Sequence, residues 1–437
     1  MKIRFIPRDD NINGWSAILP HRQPSSPLLG AVQADWLVIG AGYAGLAFAR
    51  AVAEQDSSAK IVLLEAGIAG DGATGRNSGF AIDLPHNIGS STAELAKAAN
   101  YRRLLKGGLD QLQQLIDRYQ IACDWQQSGK YHCGVQVGTH QLLDQYAHEL
   151  DQLGEEYDYL DQAELSQRLG TTYYRSAIYT PHSFLLNPAA LVRGLADHLP
   201  ENVSLYEHSP VLTINQQGGI RATTPTGEVT ARRVMFATNG AAGQLAPFAS
   251  KVASLATYAS LTAPLTLEQQ ARIGAVKPWG MTPVNAIAGA TFRYTADHRL
   301  LIRQQVEYAP ALTRSAQDTA QVRARHRKIF VSRFPQLADV ALEHTWSGLI
   351  SVTRNGAPIW GQVRPGVYAA LGCNGAGVSK QTIAGQALAD LAYGIDSPWV
   401  ADMQALGQAN YIPPRPFLDL GVQGHLWRER LLGRGEY

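Results

Sequence analysis

Gly40, Gly42 and Gly45 stand at the G-x-G-x-x-G spacing, and Glu65 follows twenty residues after the last of them. That pattern suits the binding of a dinucleotide pyrophosphate. Gly40 makes a tight turn, Gly42 lets the backbone approach the phosphates, and Gly45 lets a helix pack against a strand. The N–H groups that open the helix at Tyr43 and Ala44 carry partial positive charge towards those phosphates. Glu65 can accept hydrogen bonds from a ribose, and its charge disfavours a 2′-phosphate. The chain then runs through Ala66 into a glycine-rich loop that includes Ala73, Thr74, Gly75, Arg76, Asn77, Ser78 and Gly79. The βαβ unit alone does not separate NAD from FAD. A nicotinamide-binding domain would normally enter its next helix here, whereas a loop offering backbone N–H groups suits a longer cofactor. The loop favours FAD.

The elements that must hold these residues are readable. Residues 35–39 (DWLVI) form a short apolar run ending at glycine, a buried strand. Residues 43–55 repeat small and apolar side chains at helical spacing, and 60–65 (KIVLLE) are a second buried strand. Residues 94–122 and 140–153 read as helices. Residues 203–238 alternate apolar and polar side chains around turn signals at Gln217-Gly218-Gly219 and Thr226-Gly227, which predicts a β-meander. Residues 290–305 read as a hairpin turning near Asp297-His298, and 317–334 as a basic helix with a solvated face. A strand at 368–371 precedes a glycine-rich turn and a helix over about 378–392. The tail carries Pro413, Pro414 and Pro416 and ends in a short amphipathic helix around 426–432. Residues 1–33 hold four prolines, and Trp15 with Leu28-Leu29 argues for a packed, extended arm.

A length of 437 residues suits two or three domains. Apolar residues make up 45% and charged residues 17%, which excludes a disordered chain. The 38 basic and 36 acidic residues leave a net charge of +2 and argue against a nucleic-acid partner. Cys123, Cys133 and Cys373 make no metal or disulfide framework and suit a reducing compartment. The first residues show no secretory signal, and no apolar stretch approaches the roughly 20 residues that span a bilayer. The expectation is a soluble, cytoplasmic protein without a bound metal.

ADWLVIGAGYAGL, the Glu65-Ala66-Gly67 ending and GATGRNSG together resemble the glycine oxidase/D-amino-acid oxidase superfamily of flavoproteins, nearest its γ-glutamylputrescine oxidase-like branch. Phe236-Ala237-Thr238-Asn239-Gly240, Phe292-Arg293-Tyr294, Arg299-Leu300-Leu301, Trp346-Ser347-Gly348 and Gly372-Cys373-Asn374-Gly375-Ala376-Gly377-Val378 agree with it. So does the tryptophan- and proline-bearing arm. The resemblance covers nearly the whole chain. Two departures stand out: Ser78-Gly79-Phe80 where relatives often read G-G-Q, and Asn374-Gly375-Ala376-Gly377 where they often read S-G-H-G.

The resemblance implies an α/β and α+β fold, a discontinuous Rossmann-like FAD-binding domain interleaved with a mixed-sheet substrate domain. The implied boundaries are an arm at 1–33, a cofactor domain at 34–90, 187–250 and 340–400, a substrate domain at 91–186 and 251–339, and a tail at 401–437. It adds Val211, Thr238, Asn239, Gly240, Gly375, Ala376, Gly377 and Val378 to the cofactor contacts. No histidine occurs at 70–80, so the FAD is expected to be non-covalent. A helix opening near Val378 would aim its positive end at flavin N1/C2=O and stabilise the reduced anion. The implied reaction is hydride transfer from an amine or amino acid to flavin N5, giving an imine that hydrolyses, with oxygen or another acceptor reoxidising the flavin. Tyr258, Arg293 and Trp346 are implied near the substrate. Lys380 either meets the flavin carbonyl edge or faces solvent. Two other readings stay open: a NAD-dependent dehydrogenase, and a flavin-binding protein or partner subunit of low activity.

Overall fold

The computed structural model describes residues 2–9, 11–84, 92–216, 218–274 and 276–436. Gln217 of the expected turn lies outside these residues, as do residues 85–91. Two eight-stranded sheets organise the chain.

In the first sheet, Val203–Tyr206, Ile61–Leu64, Gly30–Ile39, Gly227–Phe236 and Val367–Leu371 run parallel in that spatial order. Gly227–Phe236 is shared. Its first half pairs antiparallel with Ile220–Thr223, and its last three residues pair with Val367–Ala369. Ile359–Arg364 then folds back antiparallel on Val367–Leu371. These strands read as unbroken apolar runs because both faces are covered. Trp36, Val38, Ile61, Leu63, Met235 and Ala370 pack under the helices Tyr43–Gln55, Thr92–Tyr119, Pro188–Asp197 and Gly377–Tyr393. Leu37, Ile39, Val62, Leu64, Val234 and Phe236 pack on the other side with Ile214, Ala222 and Val229 of the meander.

The second sheet runs in the order Leu342–Val352, Ala253–Thr262, Leu300–Tyr308, Thr291–Tyr294, Trp279–Pro283, Lys130–Gly134, Ser176–Thr180, Asp158–Asp161. One face carries Phe292 and Ile302 and packs on Ile329 and Phe330 of the basic helix Ala316–Arg333. The opposite face carries Arg293, Leu301, Ala259 and Trp346 and meets Trp15 of the arm. That face positions the site.

Several elements differ from the sequence reading in extent. The first strand starts at Gly30, not at 35, because Gly30–Ala34 pairs with Gly227–Ala231. Val203–Tyr206 is a parallel edge strand beside Ile61–Leu64 and not part of the meander. Leu342–Val352, expected with the cofactor half, is the edge of the second sheet against Ala253–Thr262. The chain returns to the first sheet only at Ile359. The arm carries a two-residue strand, Arg8–Asp9, paired with Thr313–Arg314, and a short helix, Gly14–Ala17. The tail helix is longer than expected, Phe417–Leu432.

Candidate functional site

The parallel strands Gly30–Ile39 and Val367–Leu371 flank Gly227–Phe236, and each is followed by a helix that opens at the same carboxyl edge of the sheet. The strand Gly227–Phe236 lies between the two strands that lead into these helices. Neither helix has a side chain capping its first N–H groups: the cap positions are Gly42 and Ala376. Each end therefore leaves backbone donors free for a ligand. The helices are brought together at Gly385, where any Cβ would run into the Ala44 carbonyl oxygen.

Gly40 and Gly45 are required by the turn itself. Gly40 has φ +106, and a Cβ there would stand 2.6 Å from the Ala237 carbonyl oxygen. A Cβ on Gly45 would strike the Gly40 carbonyl oxygen, so the turn closes only over glycine. Gly42 sits in ordinary extended backbone, and a Cβ there would lie 2.9 Å from Thr74 Cγ2. It is the approach face between the helix start and the loop.

Glu65 ends Ile61–Leu64 with its carboxylate over this edge. Ala41 N donates to Oε2 at 2.9 Å and Gly67 N to Oε1 at 3.0 Å. Burial raises its pKa, reinforced by Glu207 and opposed by those N–H groups. Next to it Ala66 is exposed, and Val211 is buried beneath the sheet edge with Ile39 and Leu64.

Residues 71–79 form a self-bonded loop. Ala73–Gly75 make one 3-10 turn; Asn77 Nδ2 donates to Thr74 O at 2.6 Å, and Gly79 N donates to Asn77 Oδ1 at 2.8 Å. Arg76, placed by the sequence among the cofactor contacts, directs its guanidinium to the arm and the second sheet. It bonds the carbonyls of Asp71, Ser347 and Asn11 and pairs with Asp9 at 3.1 Å. It ties the arm and the second sheet to the loop. The arm completes the clasp: Asn13 Nδ2 donates to Gly70 O and Gly75 O, and Trp15 Nε1 to Asn77 O at 2.8 Å. Asn13 and Asp9 were missed in the sequence, where nothing local marks them.

Thr238 Oγ1 is buried with no hydrogen-bond partner at the end of Gly227–Phe236, between the two helix starts. Asn239 adopts φ +48 and donates Nδ2 to Leu349 O at 3.1 Å; Gly240 packs on Ser254. The buried Tyr43 hydroxyl lies beside Asn77. At the far turn, Gly372, Asn374 and Gly375 have positive φ, and Asn374 Oδ1 accepts from Thr353 N at 2.9 Å. Ala376 packs with Ile82 and Leu105, Phe80 lining the same cluster. Val378 lies in the helix core.

Of the four residues implied near the substrate or the flavin, Trp346 and Arg293 share the loop-facing side of the second sheet. Trp346 Nε1 donates to Arg76 O at 3.1 Å, and its ring meets Trp15 edge-on at 6.4 Å. Arg293 Nη1 bonds the carbonyls of Gly79 and Leu186, and its guanidinium lies 4.9 Å over Trp15. Burial lowers its pKa to about 10, with Asp124 and Asp297 opposing. Tyr258 is on the opposite face: it packs with Val322 of the basic helix and donates to Glu307 Oε2 at 2.7 Å. Lys380 does not face solvent. It is 1% exposed, donates Nζ to Gly372 O at 3.3 Å and lies 5.2 Å over the Tyr101 ring.

An extended dinucleotide fits this geometry. The glycine cradle and the free helix N–H groups suit phosphate, Glu65 suits ribose, and Thr238 Oγ1 and the second helix start leave further polar groups unpartnered along the same edge. Among the described residues no group of His, Cys, Asp or Glu could hold a metal.

Residues 35–391 match the family model described as FAD dependent oxidoreductase (DAO). The chain is 28% identical over 382 residues to the probable oxidoreductase OrdL of Haemophilus influenzae, covering 85% of each. It is 27% identical over 384 residues to γ-glutamylputrescine oxidoreductase of Escherichia coli, covering 85% of this chain and 86% of that one. Among solved structures, glycine oxidase from Geobacillus kaustophilus superposes with a TM-score of 0.68 at 19% identity, over 84% of this chain and 96% of that one. L-proline dehydrogenase from P. horikoshii gives 0.67 at 16%, over 89% and 100%.

Proposed function

Because this chain belongs to the DAO family of FAD-dependent oxidoreductases, we propose that it oxidises an amine or amino acid at the carbon bearing nitrogen. The family match sets aside the NAD-dependent reading. Bound FAD supplies the two-electron acceptor: a hydride leaves the substrate carbon, and the resulting imine is hydrolysed by water to a carbonyl compound and ammonia or a smaller amine. The reading of the protein's part rests chiefly on two uncapped helix starts opening at one sheet edge.

The start of Tyr43–Gln55 with Gly42 would hold the pyrophosphate, and Glu65 the adenosine ribose. Thr238 Oγ1 would meet a hydroxyl or ring heteroatom midway. The start of Gly377–Tyr393 would face the electron-accepting ring and favour negative charge developing on it. Lys380, buried behind that turn, adds a positive charge on the same side. Arg293 and Trp346 fix the loop against the second sheet, so their role is to position the wall facing the ring and to exclude water. A dry site favours the neutral amine, the form that can release a hydride.

No helix among the described residues is long and apolar enough to cross a membrane. We take the cofactor to be held without a covalent bond, supported by the packing of Cys373 against Ser351 and Asn239; acid precipitation should release it. The activity is tested by mixing the holoenzyme anaerobically with a panel of amines and amino acids while following flavin absorbance. Bleaching by at least one is expected. If none reduces a flavin that dithionite does reduce, the chain is a flavin carrier of low activity.

A further inference from the structure

Two tryptophans hold successive carbonyls of the loop at 71–79. Trp346 Nε1 donates to Arg76 O at 3.1 Å, and Trp15 Nε1 donates to Asn77 O at 2.8 Å. Both side chains are buried and their rings meet edge-on at 6.4 Å, so they form one wall. A buried indole N–H needs an acceptor, and the loop supplies one to each.

The wall is assembled from distant parts of the chain. Trp346 stands on Leu342–Val352 of the second sheet, and Trp15 on the short helix Gly14–Ala17 of the arm. Asn13 sets that helix in place. Its Oδ1 accepts from Trp15 N at 3.2 Å, while Nδ2 donates to Gly70 O at 3.2 Å and to Gly75 O at 3.0 Å. Gly14 leaves no room for a Cβ against the Trp346 ring, so the arm lies flush on the sheet.

Fixing a carbonyl also fixes the N–H that follows it. The peptides here are trans, and a planar trans peptide points its C=O and N–H in opposite directions. The Arg76 carbonyl shares its plane with the Asn77 N–H, and the Asn77 carbonyl with the Ser78 N–H. Both N–H groups therefore point away from the tryptophans. Among the described residues neither finds an acceptor, although both residues are half-buried. On that side the loop meets the first helix start: a Cβ on Gly42 would touch Thr74, and the Tyr43 hydroxyl lies beside Asn77. Two successive N–H groups on one side of a loop favour negative charge.

We propose that Trp15 and Trp346 are positioning residues of the redox centre: their indole N–H groups turn two peptide planes so that the N–H groups of Asn77 and Ser78 face the bound flavin ring and stabilise negative charge on it. The arm is then part of the site and not a surface extension. This rests on the flavin-dependent reading above and deepens it.

The test uses holoenzyme with Trp15→Phe and Trp346→Phe, which keep an aromatic ring and remove the N–H. Trp279→Phe is the control: a buried tryptophan on the opposite face of the second sheet, whose Nε1 has no partner among the described residues. Sulfite affinity and the two-electron reduction potential are measured on each, and neither needs an amine. Trp15→Phe and Trp346→Phe should each bind sulfite on the order of tenfold more weakly. The same factor is about 30 mV in a two-electron potential, which should fall. Trp279→Phe should lower Tm and leave both values unchanged. In the wild type, exchange of the Asn77 and Ser78 amide protons should slow when FAD is added to the deflavinated protein. Unchanged sulfite affinity and potential in both Trp15→Phe and Trp346→Phe overturn the proposal. So does an equal shift in Trp279→Phe, which would make the effect a general loosening. Where the first two variants do not retain flavin, the exchange measurement decides, and no slowing at Asn77 and Ser78 overturns the proposal. If no amine reduces the flavin, the amine-oxidising reading fails instead, and these readouts still decide the role of the tryptophans.

Discussion

Replacing Gly42 by valine separates cofactor binding from folding. Gly42 has φ −89 and ψ −175, which any residue adopts, and a Cβ there meets only the Thr74 methyl, at 2.9 Å. A side chain can rotate out of the way, so overpacking should cost about 1–3 kcal/mol of stability. The valine methyls, however, fill the space through which a pyrophosphate reaches the helix start. Losing two charge-assisted N–H contacts at about 1.5–3 kcal/mol each removes roughly 3–6 kcal/mol of binding. That is on the order of a hundredfold to ten-thousandfold in Kd. Gly45→Ala gives the contrast. Its Cβ would strike the backbone carbonyl of Gly40, which cannot rotate away, so this variant should fail to accumulate folded. The assay is flavin absorbance relative to protein on purification, then FAD titration of the deflavinated protein, with Tm measured on both. Gly42→Val carrying a full complement of FAD at unchanged affinity would refute the placement of the phosphates.

Glu65→Gln keeps the shape but loses the charge and one acceptor for Ala41 or Gly67 N–H; FAD affinity should fall by about 1.5–3 kcal/mol, and an unchanged Kd would move the ribose elsewhere. Lys380→Met removes the cation buried behind the turn at Gly372, so sulfite, which adds to oxidised flavin as an anion, should bind about tenfold more weakly with FAD content little changed. Equal sulfite affinity would leave the helix start alone as the anion stabiliser. Glu436 is pushed up to about 6, mainly by burial and against the pull of Arg333. A raised acid pKa in the folded state means its contribution is full below its ordinary value of 4.5 and is lost as pH rises through about 6, by about 2 kcal/mol. Glu436→Gln should flatten that slope of Tm with pH.

What was legible in the sequence was contiguous. Strand, glycines, helix, strand and Glu65 fall within 31 residues, 35–65, and each signal constrains its neighbour. The last turn and its helix were legible for the same reason. Direction and partnership across distance were not. Arg76 sits in the loop as expected, but its guanidinium turns to Asp9 and Asn11, some 65 residues away in sequence. Arg293 interrupts an alternating strand, and only the folded sheet shows that it turns to the carbonyls of Gly79 and Leu186. Tyr258 differs from Ala259 by one position, and one position in a strand is the difference between the two faces. Leu342–Val352 joins the second sheet through pairing with a strand about ninety residues earlier, which no local pattern encodes.

The central claim is that the protein's own flavin takes two electrons from a carbon–nitrogen bond. The most direct measurement is a single anaerobic turnover with limiting substrate, reading flavin absorbance and carbonyl product together. One flavin reduced per carbonyl formed, with the colour returning on adding an acceptor, is the result expected. Carbonyl formed without bleaching, or only when a nicotinamide nucleotide is supplied and reduced, would contradict the account.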